Sequence, residues 1–341
     1  MSGSIREAGD IAQAFGLTRA QASAVISRYP ALVNPYFRRL AEEAGDPLLL
    51  QVRPDPSEIS PLNDSLPEDP IGEESFSPVP NLTHRYPDRV LFLVSDRCAV
   101  TCRFCTRKRK VGRGLRVTPQ TIREGLRYIA GDGRIRDVLL SGGDPLMLVD
   151  DSIEDILSRL RGMDHVEILR VGTRIPAVLP QRVTPELAAA LSRQRPLYVH
   201  VHFNHPAEIT PEAVLACDLL ADAGIPMSSQ TVLLAGVNDD PDLLESLFRK
   251  LVALRVRPYY LFQVDVVRGT EHFRTPLRRG LQIMEELHRR TSPMALPYFA
   301  VDLPMAGGKV FPALHHVVAL GRPDQALIAP DGTTIPYPDP L

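Results

Sequence analysis

Short apolar segments alternate with longer amphipathic segments from residue 90 onward. The short segments are rich in β-branched and aromatic residues, a composition typical of buried parallel strands. Helical patterns of about 10 to 14 residues separate them, which is the length of crossover helices in strand–helix units. We predict strands at Val90–Val94, Val138–Leu140, Val166–Val171, Leu197–Phe203, Ser228–Leu233 and Tyr259–Val264, with a short seventh at Tyr298–Val301.

The separating segments also carry signals for helix initiation. A capping side chain followed by proline favours the first turn of a helix, and such pairs occur at Thr118-Pro119, Thr184-Pro185, Thr210-Pro211 and Asp240-Pro241. Six strand–helix units in series imply a parallel sheet with right-handed crossovers. Because six units are too few to close an eight-stranded barrel, we predict an α/β fold built on an open, partial (β/α)6 barrel.

The first 80 residues do not follow this alternation. Residues 1 to about 47 contain few helix breakers and are predicted to be helical. Residues 51–80 hold seven prolines, seven acidic residues and one base, which indicates either a disordered linker or an extended arm over the main domain. We favour the arm, as a cover for the open barrel, because five apolar side chains would anchor it: Ile59, Leu62, Leu66, Ile71 and Phe76.

Composition narrows the class of protein. The chain has 341 residues, with 39 Lys plus Arg and 41 Asp plus Glu, so its formal net charge is −2. This balance argues against a nucleic-acid binder, which normally has a basic face. No apolar run reaches the ~18 residues of a membrane span, and the first residues lack the apolar segment of a secretory signal. We therefore expect a cytoplasmic protein that binds neither nucleic acid nor a membrane.

Polar residues follow the predicted strands at the points where they end. They include Cys98, Ser141, Gly142, Gly143, Asp144, Thr173, Arg174, His202, His205 and Asp265. Because the carboxyl ends of barrel strands share one face and carry the chemistry in such folds, we expect these residues to converge there.

Three of the four cysteines lie within eight residues, as Cys98-x3-Cys102-x2-Cys105. Three thiolates from one loop suit a 4Fe-4S cluster that keeps one iron open for a small chelating cofactor. A structural zinc site usually takes two pairs of ligands, and no second pair is present. The alternatives are a zinc site completed by a histidine, or three buried structural cysteines. Cys217 stands alone and is predicted to lie in the core.

The segment from Cys98 to Cys105 resembles the CxxxCxxC loop of the radical S-adenosylmethionine enzymes. The resemblance implies that these cysteines bind a 4Fe-4S cluster whose open iron chelates S-adenosyl-L-methionine. Ser141-Gly142-Gly143-Asp144 resembles the glycine motif that follows the second strand in that superfamily and contacts the methionine amino group. Glycine suits this position because the backbone can approach closely without a Cβ. Asp144 departs from the glutamate of many members.

A second informative segment, Val301 to Val310, contains Gly307-Gly308-Lys309. A lysine on a flexible glycine loop can form a Schiff base with pyridoxal 5′-phosphate, although from composition alone a surface lysine is the preferred interpretation. The segment resembles the pyridoxal-phosphate loop of the lysine 2,3-aminomutase family, which implies that Lys309 binds this cofactor. Met305-Ala306 stands where the family often has more glycine. Similar motifs extend from about residue 46 to the C-terminus.

We divide the chain into an N-terminal region (1–80), a partial barrel (81–303) and a C-terminal segment with the lysine (304–341).

The family resemblance also implies roles for side chains around the cofactors. Arg85 and Arg89 match arginines on the phosphate side of pyridoxal phosphate, and arginine is well shaped for such oxyanions. Further residues assigned to cofactor binding are Ser141, Gly142, Gly143, Asp144, Arg174, Gln181 and His202.

At the substrate, Arg107 matches the arginine that pairs with the carboxylate, while the following Lys108, Arg109 and Lys110 are interpreted as solvated. Asp265 and Asp302 match two aspartates that hold the ε-ammonium of lysine. Because a buried ammonium needs a compensating charge, this pair favours lysine or a close analogue.

The resemblance implies an isomerase that converts L-lysine to L-β-lysine by way of a 5′-deoxyadenosyl radical, with flavodoxin or ferredoxin as electron donor and a homo-oligomeric assembly. Two alternatives stay open within the same chemistry: another amino acid, or a lysine used to modify elongation factor P. An alternative of another class is a non-catalytic iron–sulfur or zinc-binding module.

Overall fold

A curved sheet of nine strands, adjacent in space in the order in which they follow in the chain, forms the centre of the molecule. The computed structural model describes residues 3–70, 72–112, 116–303, 307–313, 317–318, 326–328 and 333–336. The strands are β1 (Leu82–Tyr86), β2 (Arg89–Ser95), β3 (Asp137–Gly142), β4 (Ile168–Thr173), β5 (Leu197–Val201), β6 (Met227–Leu233), β7 (Val256–Gln263), β8 (Tyr298–Leu303) and β9 (Gly308–Val310).

Strands β2 to β8 are parallel, which confirms the predicted α/β fold with an open barrel. Two edge strands were not predicted: β1 pairs antiparallel with β2, and β9 pairs antiparallel with β8. Within the described residues β1 and β9 do not pair, so the sheet is a partial barrel. The fourth strand begins two residues later than predicted. A separate antiparallel sheet holds β10 (Val317–Val318), β11 (Ala326–Ile328) and β12 (Thr334–Pro336).

Helices precede the sheet and connect its parallel strands. They are α1 (Ala8–Phe15), α2 (Arg19–Arg28), α3 (Pro35–Ala44), α4 (Asp46–Leu49), α5 (Pro119–Gly131), α6 (Asp150–Arg161), α7 (Ile175–Val178), α8 (Pro185–Ser192), α9 (Pro211–Asp222), α10 (Pro241–Ala253) and α11 (Leu277–Arg290). All four predicted cap-and-proline starts are confirmed, with the capping side chain accepting a backbone N–H of the first turn. In the described part of the chain, no helix has the length and apolar character that crossing a membrane requires.

One continuous apolar core joins the N-terminal helices to the barrel. Ile11, Phe15 and Phe37 belong to the same cluster as Phe92 of β2 and Cys217 of α9, which is buried as predicted. Burial in β3 alternates from residue to residue, as expected for a pleated strand. Strand β9 belongs to the main sheet although it lies beyond residue 303. The division at residues 80 and 303 stays a prediction, and much of 304–341 is outside the described residues.

Residues 51–80 lie along the barrel as an arm with three turns of 3-10 helix, at Pro56–Ile59, Pro61–Ser65 and Glu73–Phe76. Of the predicted apolar anchors, Ile59, Leu66 and Phe76 are partly buried, whereas the polar side chains of Glu58, Asn63 and Glu73 are buried. The remaining anchors, Ile71 and the side chain of Leu62, lie outside the described residues. The arm also faces basic residues that its acidic side chains pair with, so ion pairs that were not predicted contribute to holding it.

Two glycines of α5 provide a matched test of the packing between this helix and β2. A Cβ on Gly125 would come within 2.4 Å of the Phe92 ring, whereas a Cβ on Gly131 would meet no atom within 4 Å. Gly125→Ala should therefore destabilise the protein by about 1–3 kcal/mol. Gly131→Ala should change stability by about 0.5 kcal/mol or less. The check is the melting temperature of both variants beside the parent protein, and equal effects would contradict the packing described here.

Candidate active site

The carboxyl ends of the parallel strands surround a cavity of about 340 Å³. Its size is in the range of small-molecule sites. The convergence predicted from the ends of the strands is confirmed for Cys98, Ser141, Gly143, Asp144, Thr173, Arg174, His202 and Asp265, which line it together with Cys102, Cys105, Arg107 and Asp302. His205 is not part of the lining and begins the turn Pro206–Glu208.

The three clustered thiols lie in the wall of this cavity. Burial first, and then the charge of the neighbouring thiols, raises the pKa of Cys98 and of Cys105. The guanidinium Nη1 of Arg174 donates to the Cys102 Sγ at 2.7 Å. Within the described residues, no three His, Cys, Asp or Glu side chains converge to hold a single metal ion. The fit to a cluster therefore rests on the donor set: three cavity-facing thiols, the usual cluster ligands, with a cation beside one of them.

Glycine is required after β3 by the cysteine loop itself. A Cβ on Gly142, whose φ is +133°, would lie 2.2 Å from the backbone oxygen of Ser95, and one on Gly143 would lie 2.2 Å from that of Arg97. The backbone N–H groups of Gly143 and Asp144 donate to these two oxygens at 2.7 Å. Close approach of a ligand is therefore not the whole reason for glycine at these two positions. The backbone of Ser95 and Arg97, just before Cys98, already occupies the space that a Cβ would need.

Asp144 ties together the loops that follow β3 and β4. Its carboxylate accepts from the Thr173 hydroxyl at 2.8 Å, from the Arg174 backbone N–H at 2.7 Å and from the Leu146 backbone N–H at 3.0 Å. Burial raises its pKa to about 6 against these hydrogen bonds. The carboxylate thus has an evident structural use, while its cofactor contact stays a prediction.

Arg174 is held by residues that sequence reasoning missed. Its Nη2 donates to Glu208 at 2.6 Å and to the side-chain oxygen of Gln51. Gln51 and Glu208 are fully buried, lie 157 positions apart (208 − 51) and belong to no motif that would have signalled them. His202 stacks on Phe104 with ring centroids 5.5 Å apart. Burial, followed by the charge of Arg174, lowers the His202 pKa to about 3, so its imidazole is neutral near pH 7.

Lys309 lies on strand β9 rather than on the flexible loop expected from its glycines. Backbone pairing places it opposite Asp302 of β8, and its Nζ lies 2.6 Å from the Asp302 Oδ2. The ammonium also lies over the Phe262 ring, 4.1 Å from the centroid. The expectation is wrong because β9 extends the sheet and fixes the backbone. Met305-Ala306 of the same motif lies outside the described residues.

Arg85 provides an anion-binding group beside this lysine. Its Nη2 is buried and has no hydrogen-bond partner among the described residues, and a Cβ on Gly308 would lie 3.9 Å from it. An unpaired buried donor of this kind suits a phosphate. Arg89 is less available, because it pairs with Asp88 at 3.1 Å and lies over the Tyr86 ring. Gln181 is exposed and outside the cavity lining, so the structure does not bring it to the site.

The two predicted substrate aspartates line the cavity in different electrostatic states. Asp302 is paired with Lys309, but Asp265 forms no ion pair within the described residues. Burial, and then the charge of Asp302, raises the pKa of Asp265 to about 7. Of the three aspartates in the cavity wall, Asp265 is therefore the one with neither an ion pair nor a side-chain hydrogen bond within the described residues.

The basic run after the cysteine loop is not solvated, contrary to the interpretation of Lys108, Arg109 and Lys110. Lys108 is 2% exposed and donates to the Glu58 carboxylate at 2.8 Å. The arm pairs with the other two, since Asp69 lies 3.2 Å from Arg109 and Glu74 lies 3.4 Å from Lys110. The prediction is wrong because acidic residues of the arm pair with these bases. That charge complementarity was the available signal.

Comparison with known proteins gives consistent results. The model of the Radical SAM superfamily matches residues 92–247. An L-lysine 2,3-aminomutase of Clostridium subterminale is 45% identical over 312 residues, which cover 91% of this chain and 75% of that protein. One of Methanococcus maripaludis is 41% identical and covers 100% of this chain and 80% of that protein. A glutamate 2,3-aminomutase of Clostridioides difficile is 41% identical and covers 90% of this chain and 73% of that protein.

The uncompensated charge of Asp265 predicts a pH-dependent gain in stability when it is removed. Folding raises the pKa of this group from 3.8 to about 7. The contribution of the Asp265 side chain to folding stability is thus fully present below pH 3.8 and is lost as the pH rises through about 7. The test uses the protein free of substrate and pyridoxal phosphate. There, the stabilisation caused by Asp265→Asn should be about 2 kcal/mol larger at pH 8.5 than at pH 5. This value is below the full linkage value because the cavity is open to solvent.

The matched control is Asp302→Asn, measured by urea unfolding at the same two pH values. This substitution leaves the Lys309 ammonium without its partner and should not stabilise the protein. Equal stability of Asp265→Asn and the parent protein at pH 8.5 would show that Asp265 is compensated by a group other than those described.

Proposed function

The chain belongs to the lysine 2,3-aminomutase family of radical SAM enzymes, and from that premise we propose that its own substrate is L-lysine, which it isomerises to L-β-lysine. The amino group moves from the α-carbon to the β-carbon. Identity supports lysine only weakly over glutamate, because the relatives named for the two substrates are 45% and 41% identical to this chain. The choice of substrate therefore rests on the charges in the cavity.

The contact between Lys309 and Asp302 is the observation that carries the proposal. A primary ammonium on a four-carbon chain lies 2.6 Å from the Asp302 carboxylate, and the ε-ammonium of free lysine is the same chemical group. Asp265 adds a second carboxylate, which forms no ion pair within the described residues. A distal ammonium would supply a partner for it, whereas the distal carboxylate of glutamate would add a third negative group beside these two.

The family's cofactors are a 4Fe-4S cluster, S-adenosyl-L-methionine and pyridoxal 5′-phosphate. In this chain Cys98, Cys102 and Cys105 would hold the cluster, Lys309 would hold pyridoxal phosphate as a Schiff base, and Arg85 would contact its phosphate. The chemistry that these groups supply when bound is hydrogen abstraction by a 5′-deoxyadenosyl radical and a carbonyl that carries the migrating nitrogen.

The remaining side chains bind and orient the substrate. Arg107 would receive the substrate carboxylate, while Asp265 and Asp302 receive its ε-ammonium, so lysine is held by charges at both ends. Apolar side chains in the cavity wall, among them Phe104 and Phe262, limit access of water to the reacting carbons. His202 stays neutral beside Arg174 and does not compete with the ammonium for the aspartates.

Further parts of the proposal concern partners and location. We place the enzyme in the cytoplasm, as a homo-oligomer that takes electrons from a flavodoxin or ferredoxin. The four cysteines carry no disulfide, which supports a reducing compartment. A one-electron donor would supply the electron that a 4Fe-4S cluster held by these cysteines would need for its chemistry.

An anaerobic substrate panel tests the proposed activity. With reconstituted cluster, S-adenosylmethionine, pyridoxal phosphate and dithionite, the protein should convert L-lysine to β-lysine and leave L-glutamate and L-alanine unchanged. Products are identified by chromatography and mass spectrometry. Turnover of another amino acid in the absence of lysine turnover would overturn the assignment. A result with no free amino acid converted, but with activity on lysine in the presence of elongation factor P and its ligase, would move the chain to that branch.

Lys309→Ala tests the attachment of pyridoxal phosphate. The parent protein should show the visible absorbance of a Schiff base, and borohydride should fix the cofactor on the peptide that contains Lys309. The variant should lose both signals and all turnover while keeping its iron content. Lys250→Ala, an exposed lysine on α10, is the control and should match the parent protein. Trapping on another lysine would contradict this assignment.

A further inference from the structure

A carboxylate of the arm holds the guanidinium of Arg107 from one side. The Nε of Arg107 donates to the Oε1 of Glu73 at 2.8 Å, and Nη2 donates to the same oxygen. Within the described residues Nη1 makes no hydrogen bond, while the side chain forms part of the cavity wall. Glu73 is only 3% exposed and Arg107 18%. The guanidinium thus has one edge engaged by protein and one nitrogen left for another partner.

The local backbone places Glu73 at this point. Gly72 has a φ of +70°, and the turn Glu73–Phe76 follows it directly. The backbone N–H of Glu74 donates to the Asp69 carboxylate at 3.0 Å, which closes the bend before the turn. The neighbouring pairs Asp69–Arg109 and Glu74–Lys110 bind the same segment to the basic run. Glu73 is therefore one of three acidic residues, with Asp69 and Glu74, that attach this segment to the basic run. Of their three partners, only Arg107 lines the cavity.

The charged side chains that act on Asp265 do not balance one another. Three carboxylates, those of Glu73, Asp265 and Asp302, face two cations, Arg107 and Lys309. The Arg107 guanidinium is charged, because arginine is not deprotonated in proteins. When all three carboxylates are ionised they exceed these two cations by one negative charge, which favours a substrate of net positive charge over an acidic amino acid.

We propose that Glu73 is a positioning residue that presents Arg107 to the carboxylate of the substrate. The inference rests on the proposed function, in which Arg107 receives that carboxylate. Glu73 fixes the guanidinium before the substrate arrives, so that less side-chain entropy is lost on binding. It also compensates a cation that is largely buried while the cavity is empty. Because Glu73 engages Nε and Nη2, Nη1 is left to donate to the substrate carboxylate.

The test compares Glu73→Gln with Glu74→Gln in the holoenzyme. Glu74 is the next residue, is 66% exposed and also pairs with the basic run, so it controls for loss of one acidic group from the arm. Glu73→Gln should raise the KM for L-lysine about tenfold and lower kcat by about threefold or less. Glu73→Ala should raise KM further, since the amide of the Gln variant can still accept a hydrogen bond. Glu74→Gln should stay within about twofold of the parent in both constants.

A second measurement, the inhibition constant of cadaverine, tests whether the effect of Glu73 depends on the substrate carboxylate. Cadaverine has the distal ammonium of lysine but no carboxylate, so its inhibition constant should be the same in Glu73→Gln and the parent. If Glu73 had only a structural role, Glu73→Gln would weaken the binding of cadaverine and of lysine together and would lower the iron content. If Glu73→Gln does not accumulate, Arg107→Lys, which keeps the charge but lacks the fork, should show the same selective rise in KM.

Three results would overturn the inference while leaving the proposed function intact, provided that the parent protein converts L-lysine. A fall in KM would show that Glu73 competes with the substrate for Arg107. An unchanged KM would show that Glu73 does not act on binding. An equal loss of affinity for lysine and cadaverine would show a general structural effect. Failure of the parent protein to convert L-lysine would instead reject the proposed function.

Discussion

Buried charges that are neutralised by one another hold the cysteine loop in place. Arg103 lies between Cys102 and Phe104 and is fully buried, and it donates to both oxygens of Glu58, at 2.8 and 2.6 Å. Lys108 donates to the same carboxylate and to the backbone oxygen of Gly269. Removing Glu58 would leave both cations buried without a carboxylate, at a cost of about 3–5 kcal/mol. The arm, the cysteine loop and the loop after β7 are thereby coupled.

The same principle extends across the cavity and gives it its chemical character. Arg174 is neutralised by Glu208, Arg107 by Glu73, and Lys309 by Asp302. Among the cavity carboxylates Asp144, Asp265 and Asp302, Asp265 has neither an ion pair nor a side-chain hydrogen bond within the described residues. Burial first, and then the charge of Asp302, raises its pKa, while Lys309 and Arg107 oppose the shift. We propose that Asp265, together with Asp302, selects the substrate by its cation.

Much of this arrangement could be predicted from the sequence, because its signals are local. The seven parallel strands, the four cap-and-proline helix starts and the three clustered cysteines each depend on neighbours within a few residues. The edge strands β1 and β9 could not be predicted in this way, because they are short and pair antiparallel with β2 and β8. The alternation of strands and helices indicates only parallel neighbours. The pairs that organise the site are long-range: Glu58 reaches Arg103, Gln51 reaches Arg174, and neither belongs to a motif. Charge complementarity between the arm and the basic run was visible, but apolar anchors were given too much weight.

We propose that Asp265 and Asp302 select a substrate by its distal ammonium. The most direct measurement is the ratio of kcat/KM for L-lysine to that for L-norleucine, which has a methyl group in place of the CH₂NH₃⁺ end. We expect a ratio of about a hundredfold or more, because norleucine brings no cation to the buried Asp265 carboxylate. A ratio near one would contradict it and would show that the reaction is selected by features other than these two aspartates.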